Sequence, residues 1–375
     1  MTLLYSEVEE ELRAAVRDLL ADRCPPAAVL AGAESAPGRD AELWKALARD
    51  IGAAGLLIPE DLGGAGASAR EAAVVLEELG RAVAPVPFLT SAVMATWALV
   101  RCGGDAAREL LGELAVGETT AALAVSLATS PYALSTPPAA VRAEAGRLTG
   151  RVTAVAGADA ADLLIVPASG ALYAVDAADA VVEVVTSLDL TRPVAMVTFD
   201  GTPGRPVGAD LAPLRAALAM GAGLLASEQL GLAEWCLATT LAHVKERHQF
   251  ARPIGSFQAL KHRLADLWME IVQARAAARG AADALARTPG AGAADEGGAG
   301  EVALAVAVAQ AWCGTAAVHA AEECLQLHGG IGMTWEHPLH LYLKRAKADE
   351  IALGTPGDHR DALADLADLP APLPA

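Results

Sequence analysis

Residues 247–266 read RHQFARPIGSFQALKHRLAD, and they differ from the rest of the chain. Most of the sequence consists of Ala, Leu, Val and Gly, whereas here polar and aromatic side chains cluster around Pro253 and Gly255. Because Pro and Gly interrupt helices, we predict a turn at this point and a new helix whose first turn contains Gln258. A helix start explains the stretch by itself, so its surroundings decide whether it does more.

Long helical patterns lie on both sides of this turn. In the C-terminal half, apolar residues recur at helical spacing over 211–246, 257–287 and 300–327, with a Gly- and Ala-rich connector at 288–300. The first 120 residues show the same period, and helices are predicted at 6–23, 40–52, 68–82 and 88–102.

The section between these helices has a different pattern. Short apolar segments alternate with Gly, Pro, Asp and Ser, which is typical of strands. Strands are predicted at 121–127, 147–156, 162–167, 172–175 and 181–186. The predicted fold class is therefore α+β, with an N-terminal helical domain at 1–118, a small β domain at 119–205 and a C-terminal helical region at 206–375. We expect residues 364–375 to be disordered.

Composition excludes several classes of protein. The 375-residue chain has a net charge of −18, which argues against a nucleic-acid-binding surface. Its five cysteines are widely spaced and form no CxxC pair, which argues against a disulfide framework or a zinc site and favours the cytoplasm. The acidic N-terminus does not resemble a signal peptide. Gln310 and Gly314 interrupt the apolar run 302–318, so we expect a buried helix there and no membrane span.

Three motifs occur in a fixed order along the chain. They are GLLIPEDLGGAG at 55–66, the stretch at 247–266 and QLHGGIGMTWEHPLHLYLKRAK at 326–347. Together with the order helices, β domain, long helices, they resemble the acyl-CoA dehydrogenase family of flavoproteins of lipid metabolism. The segment DLGGAG follows no Rossmann strand, so it does not predict a dinucleotide-binding fold.

The resemblance implies a C-terminal four-helix bundle that forms an oligomer interface and binds FAD. In this family a glutamate removes the α-proton of an acyl-CoA and the flavin N5 accepts the β-hydride. The expected activity is therefore α,β-dehydrogenation of an acyl thioester carried on CoA or on an acyl-carrier protein. Electrons would pass to an electron-transfer flavoprotein, by analogy with the family.

The same resemblance assigns FAD-binding residues. Arg247, Gln249 and Phe250 would contact the pyrophosphate and adenine of an FAD whose flavin ring lies in the neighbouring subunit. A guanidinium makes charge-assisted hydrogen bonds to a pyrophosphate, and aromatic rings stack on adenine. Further contacts would come from Phe257, Gln258, Gln326, Gly329 and Gly330, the glycines because only a bare backbone fits there.

The catalytic glutamate of the family is missing. It normally precedes a Gly-Thr pair, and the segment EIALGT at 350–355 has Leu353 at that position. Some members carry the base on the first long C-terminal helix instead, at a position that falls on Gly221 here. Glu228 lies two turns further along that helix and is the remaining candidate base, unless it is a structural glutamate buried against arginine.

The flavin-ring contacts are also altered. The segment AVSLATSPY at 124–132 replaces the usual Thr-Glu-Pro-type segment, and Ala154 and Ala156 stand where a Trp and a Thr contact the flavin. The losses affect what a subunit gives to its own flavin ring, whereas the contacts to a neighbour's FAD are kept. This sorting suggests the hypothesis that the chain is one subunit of a hetero-oligomer whose partner, a second family member, supplies the base.

Other interpretations stay open at this point. The chain can be a self-sufficient homo-oligomer that uses Glu228, an inactive thioester-binding or scaffold homologue, or a flavoenzyme with changed chemistry such as hydroxylation. The segment SLDLTR at 187–192 is either a structural turn with a salt bridge or a contact to CoA or flavin. The histidines of the motifs lack metal-ligand spacing and are expected at a surface or interface: His248, His262, His328, His337 and His340.

Overall fold

The computed structural model describes residues 3–35, 40–132, 140–287 and 298–369. It confirms the predicted α+β fold, which starts with a group of N-terminal helices. Ser6 and Ser68 begin the first and fourth of these with capping boxes, in which the hydroxyl oxygen accepts a backbone N–H and a glutamate three residues on accepts the N–H of the serine. The helices are α1 (Glu7–Arg23), α2 (Pro26–Ser35), α3 (Ala41–Lys45), α4 (Ala69–Ala82), α5 (Thr96–Cys102) and α6 (Asp105–Ala115).

The described residues of the β domain form two four-stranded sheets. The strands are β1 (Ala121–Leu123), β2 (Val141–Glu144), β3 (Arg147–Ala156), β4 (Leu163–Ala168), β5 (Ala171–Asp176), β6 (Val181–Val185), β7 (Val194–Pro203) and β8 (Arg205–Gly208). One sheet has the order β1-β4-β5-β8 and the other β2-β3-β7-β6. Alternate residues such as Val197 and Phe199 of β7 are buried in the core of this domain. Because β8 ends at Gly208, the strands extend beyond residue 205, where the sequence predicted the domain to end.

The C-terminal region is a bundle of long helices. The helices are α7 (Ala212–Glu246), α8 (Gln258–Ala286), α9 (Gly298–His328), α10 (Leu339–Ile351) and α11 (Pro356–Leu366), and a short hairpin of β9 (His248–Gln249) and β10 (Arg252–Pro253) joins α7 to α8. α9 packs against α7, α8 and α10. Residues 364–366 are helical, contrary to the expected disorder of 364–375, and residues 288–297 and 370–375 lie outside the described residues.

Two segments, α7 and Gly298–Met333, are long and apolar enough to cross a membrane by length and composition. The apolar window of α7 is 89% buried inside the fold, and α9 lies alongside it. Both therefore pack as core helices of the bundle, in line with the expectation for 302–318.

Two glycines allow α4 and α7 to cross at very short range. A Cβ atom at Gly231 of α7 would lie 1.9 Å from the carbonyl oxygen of Glu77, and one at Gly80 of α4 would lie 2.1 Å from that of Glu228. These neighbours are backbone atoms, so a side chain here forces the helices apart. Both Glu77 and Glu228 are buried at this crossing. Glu228 belongs to the buried cluster of charges described below.

Replacing Gly231 with alanine is expected to lower the free energy of unfolding by about 3 kcal/mol, because overpacking of this kind cannot be relieved by a side-chain rotation. Gly280 of α8 is the matched control, since a Cβ there meets nothing within 4 Å. Gly280→Ala should raise stability by about 0.5–1 kcal/mol through helix propensity. Urea unfolding followed by circular dichroism measures both. Equal stabilities for the two variants would contradict the close crossing.

Candidate active site

The two positions at which the family carries its base face each other. Leu353 is fully buried, and a Cβ atom at Gly221 would lie 3.2 Å from its Cδ1. The same Cβ would lie 2.8 Å from Cγ of Met94, so aliphatic and thioether groups fill this place. Neither position has a group that accepts a proton, so the place where a base is expected is apolar.

The segments expected to hold a flavin ring are hydrogen-bonded to one another. The backbone N–H of Leu127 donates to the carbonyl of Ala154 at 2.8 Å, and the N–H of Leu353 donates to the carbonyl of Leu127 at 2.7 Å. The space between Met94, Val125, Leu127 and Ala156 measures about 10 Å³, which is at the limit for one water molecule. The residues present here do not fit the tricyclic ring of a flavin.

Glu228 lies in a buried cluster of charges. Arg192 donates to both carboxylate oxygens of Glu228 at 2.6 Å, and Nη1 of Arg345 donates to Oε1 at 2.5 Å. Burial alone would raise the pKa of Glu228, but the two guanidinium groups outweigh it and lower the pKa. A carboxylate whose oxygens are both engaged by arginines does not have the geometry of a general base. This argues against the expected catalytic role and for the structural one.

The remaining members of the cluster join the β domain to the bundle. Arg345 of α10 also donates to Asp189 and, at 2.6 Å, to Thr191, both in the loop before β7. Arg192 donates to Asp349 at 2.7 Å. The segment SLDLTR therefore has the structural role, as three of its side chains contact α7 and α10.

Asp349 is the carboxyl group of this cluster that keeps its proton most readily. Burial and the adjacent Glu228 raise the pKa of Asp349 well above its usual range. Its Oδ2 has no hydrogen-bond partner among the described residues. Three carboxyl groups face two guanidinium groups, so a proton on Asp349 balances the charge of the cluster.

The expected FAD-binding residues of the motif at 247–266 lie at an exposed hairpin. Phe250 is 87% exposed at its tip, and both turn residues, Phe250 and Ala251, have positive φ values of 52° and 61°. Gln249 pairs with Arg252 across the hairpin, and the Arg252 guanidinium lies 3.8 Å from the centroid of the Phe257 ring. A left-handed conformation costs about 1–2 kcal/mol in a residue other than glycine, and this turn holds the Phe250 ring in solvent at the tip of the hairpin.

The expected residues of the motif at 326–347 lie at the same end of the bundle. His243 near the end of α7 stacks on His328 at the end of α9, with ring centroids 4.3 Å apart. Gly329 and Gly330 follow directly and are exposed, as is Gln326. Gly329 has a positive φ of 64°, but a Cβ at Gly330 would meet nothing within 4 Å, so packing inside the chain does not require a glycine there.

The structure thus brings Arg247, Phe250, Phe257, Gln258, Gln326, Gly329 and Gly330 to one exposed end of the bundle. The base positions Gly221 and Leu353 are buried, as is the flavin-ring position Ala156, and Ala154 is half-buried. Exposed cations, aromatic rings and bare backbone are the groups that suit a pyrophosphate and an adenine. These residues fit the ADP half of FAD, provided that a second chain holds the other half.

Other large apolar side chains of the C-terminal region are also exposed. Trp335 and Met333, which follow Gly330, are 57% and 71% exposed, and Trp268 of α8 is 56% exposed. Trp312 of α9 is also exposed. Tryptophan and methionine side chains are enriched at the cores of protein interfaces.

A cavity of about 520 Å³ lies between α5, α7, α8 and α9. Its walls include Trp97 and Met220, the neighbour of Gly221, and the side chains of Arg101, Arg215 and Arg287. A volume of this size is typical of ligand sites. The sequence did not predict it, because four separate helices and the loop at 131–132 supply the walls.

Metal and disulfide sites are not seen in the part of the chain that the structure describes. Its five cysteines are free, and no group of three His, Cys, Asp or Glu side chains in the described ranges is placed to bind a metal ion.

Comparison with known proteins agrees with this organisation. Residues 6–118 match the acyl-CoA dehydrogenase N-terminal domain and residues 212–366 match the acyl-CoA dehydrogenase C-terminal domain. The chain is 37% identical to the acyl-CoA dehydrogenase IpdE2 of Mycobacterium tuberculosis over 350 residues, which covers 93% of this chain and 94% of that protein.

Two solved structures are similar over nearly the full length. The ChsE4-ChsE5 complex of M. tuberculosis contains a chain with 30% identity and a TM-score of 0.85, covering 99% of this chain and 100% of that one. A variant of the steroid acyl-CoA dehydrogenase Tcur3481-Tcur3483 has 30% identity and a TM-score of 0.84, covering 98% and 99%. On the evidence of both domains and of these relatives, the chain belongs to the acyl-CoA dehydrogenase family, whose cofactor is FAD.

Proposed function

We propose that this chain is the subunit of a two-chain acyl-CoA dehydrogenase that holds the ADP half of FAD, while a second family member supplies the base and the flavin-ring contacts. The observation that carries the proposal is the apolar contact between Leu353 and the Gly221 position. Neither of the two positions at which family members carry the base holds a proton acceptor in this chain. The described structures of two relatives are complexes of two different proteins, which supports the same arrangement here.

The chain's own residues then act in binding. Arg247 would pair with the pyrophosphate, Phe250 and Phe257 would stack against the adenine, and Gln249, Gln258 and Gln326 would accept or donate hydrogen bonds to its polar edges. Gly329 and Gly330 would let the backbone approach the phosphates. FAD, when bound, supplies the acceptor for the hydride removed from the acyl group.

The substrate we propose is a bulky acyl thioester, such as one carrying a steroid-like ring system. One relative is described as a steroid acyl-CoA dehydrogenase, which supports the class of substrate. We expect the reaction in the cytoplasm, with electrons passing to an electron-transfer flavoprotein.

A self-sufficient homo-oligomer is less well supported. It requires Glu228 to act as the base, but both of its oxygens accept hydrogen bonds from Arg192 and Arg345. Every observation that fits a scaffold without flavin also fits the two-chain arrangement.

Flavin content tests the proposal. The chain purified alone should be colourless, and its complex with a family member encoded beside it should contain about one FAD per pair of chains. Absorption spectra with protein quantified by amino-acid analysis measure the ratio. One FAD per chain in the protein purified alone would contradict the division of the site, and a colourless complex would favour the scaffold.

A further inference from the structure

Three imidazole rings form a stack at the end of the bundle that the proposed function assigns to the ADP half of FAD. The ring of His328 stacks on that of His243, with centroids 4.3 Å apart, and is tilted by 51° against that of His337, whose centroid lies 4.9 Å away. His328 is the last residue of α9 and immediately precedes Gly329 and Gly330. The stack is therefore adjacent to the backbone that would approach the pyrophosphate.

The hydrogen bonds of His328 show which of its nitrogens titrates. Nδ1 lies 2.7 Å from the carbonyl oxygen of Cys324, and a carbonyl only accepts, so Nδ1 carries a proton. Nε2 is then the atom that gains or loses a proton near neutral pH. Cys324 Sγ lies 3.6 Å from the same Nδ1, so the charge of the thiol acts on the imidazole.

The charged and titratable groups around the stack favour a proton on the central ring. Burial lowers the pKa of His328, but the side chain and carbonyl of Cys324 outweigh it and raise the pKa. Burial and the neighbouring histidines lower the pKa of His337, and burial, His328 and Arg247 lower that of His243. The groups around the stack are His243, Cys236 and Glu246 from α7, Arg247 directly after α7, Cys324 from α9, His337 before α10 and His340 in the first turn of α10.

We propose, on the basis of the proposed function, that this histidine stack is a proton-linked part of the anion site, and that a proton on His328 strengthens binding of the diphosphate group. As the pH rises, Nε2 of His328 loses its proton. The site becomes one charge more negative, and its attraction for a diphosphate falls. Since binding and protonation are linked, a rise of about one unit in the midpoint of His328 on binding makes the affinity about tenfold higher below both midpoints than above them.

The test uses ADP as the probe and the full chain as the protein. Isothermal titration calorimetry should show ADP binding that weakens by about tenfold between about pH 6 and about pH 8. Adenosine, which has no phosphate, should show no such dependence. His328→Phe keeps a ring against those of His243 and His337, and its ADP affinity should change less between the two pH values than that of the natural protein. The ionisation of the terminal phosphate of ADP at about pH 6 is the same for both proteins. His262→Phe, an exposed histidine of α8, is the matched control and should keep the dependence of the natural protein.

A measurement on the unsubstituted protein guards against misfolding of the variant. Side-chain ¹⁵N shifts should show that His328 keeps its proton to higher pH than His243 and His337, and that ADP raises its midpoint. An unchanged midpoint with ADP bound, or an equal pH dependence in His328→Phe, overturns the histidine inference and leaves the proposed function standing. Absence of ADP binding by the natural chain at every pH overturns the ADP-half site, and the histidine inference falls with it.

Discussion

Replacing Arg345 with methionine is expected to lower the free energy of unfolding by about 3–5 kcal/mol. Arg345 is 2% exposed and donates hydrogen bonds to Asp189, Thr191 and Glu228. Methionine has a similar length but no charge, so Asp189 and Glu228 stay buried with one cation fewer. Removing one member of a buried ion cluster is costly because the remaining charges are neither solvated nor paired.

Lys347→Met is the matched control for this change. Lys347 lies on the same helix, but its side chain is 39% exposed and its contacts with Glu322 and Glu350 are at the surface. Exposed ion pairs contribute about 0–1 kcal/mol, so this variant should unfold close to the natural protein. Urea unfolding of both variants at neutral pH gives the comparison. A cost below about 1 kcal/mol for Arg345→Met would show that the cluster does not hold the β domain to the bundle.

The carboxyl groups of the cluster are expected to respond to pH in opposite directions. Arg192 and Arg345 lower the pKa of Glu228 and of Asp189 against the effect of burial, so the stability that they contribute is present above the unfolded pKa and is lost on acidification. Burial and Glu228 raise the pKa of Asp349, so its contribution is complete at low pH and declines as the pH rises above the unfolded value. Asp349→Asn should remove that decline and cost little at neutral pH.

The fold was predictable because its signals are local or are repeated along the chain. The helical period over 211–246 corresponds to α7 (Ala212–Glu246), and the five predicted strands overlap β1, β3, β4, β5 and β6. The strands β2, β7 and β8 were not predicted. The last strand ends three residues beyond the predicted boundary, at Gly208. Its short sequence RPVG carries little strand signal, and pairing with β5 stabilises it.

The site was predictable only in part. The segment EIALGT shows from sequence alone that the usual glutamate is replaced. The contact between Leu353 and the Gly221 position depends instead on how the residues after α10 pack against α7. Helical spacing correctly relates Glu228 to Gly221, but its partners Arg192 and Arg345 are 36 and 117 residues away. No periodicity can show that a carboxylate is already engaged by residues so distant. The histidine stack was missed for the same reason, because His243 lies outside the three motifs.

In the co-purified complex, Arg247→Ala is expected to weaken FAD binding on the order of 30–150-fold. This corresponds to about 2–3 kcal/mol for charge-assisted hydrogen bonds to a phosphate. Arg247 directly follows α7 and is exposed, so the loss of its side chain should leave the fold intact. Arg247→Lys should recover part of the affinity, since lysine keeps the charge without the forked geometry of the guanidinium. Ultrafiltration followed by flavin fluorescence measures the FAD retained.

Arg263→Ala separates this effect from a general loss of positive charge. Arg263 lies in the same motif, but it pairs with Glu323 at 2.7 Å on the surface of the bundle, so we expect FAD retention within about twofold of the natural complex.

A second comparison tests the division of roles between the two chains. Leu353→Ala should leave the turnover of the complex unchanged, because the base belongs to the partner, whereas Arg247→Ala should lower turnover in proportion to the FAD lost. If Leu353→Ala abolished turnover while FAD stayed bound, this chain would contribute to the chemistry, and the assignment of the base to the partner alone would be wrong.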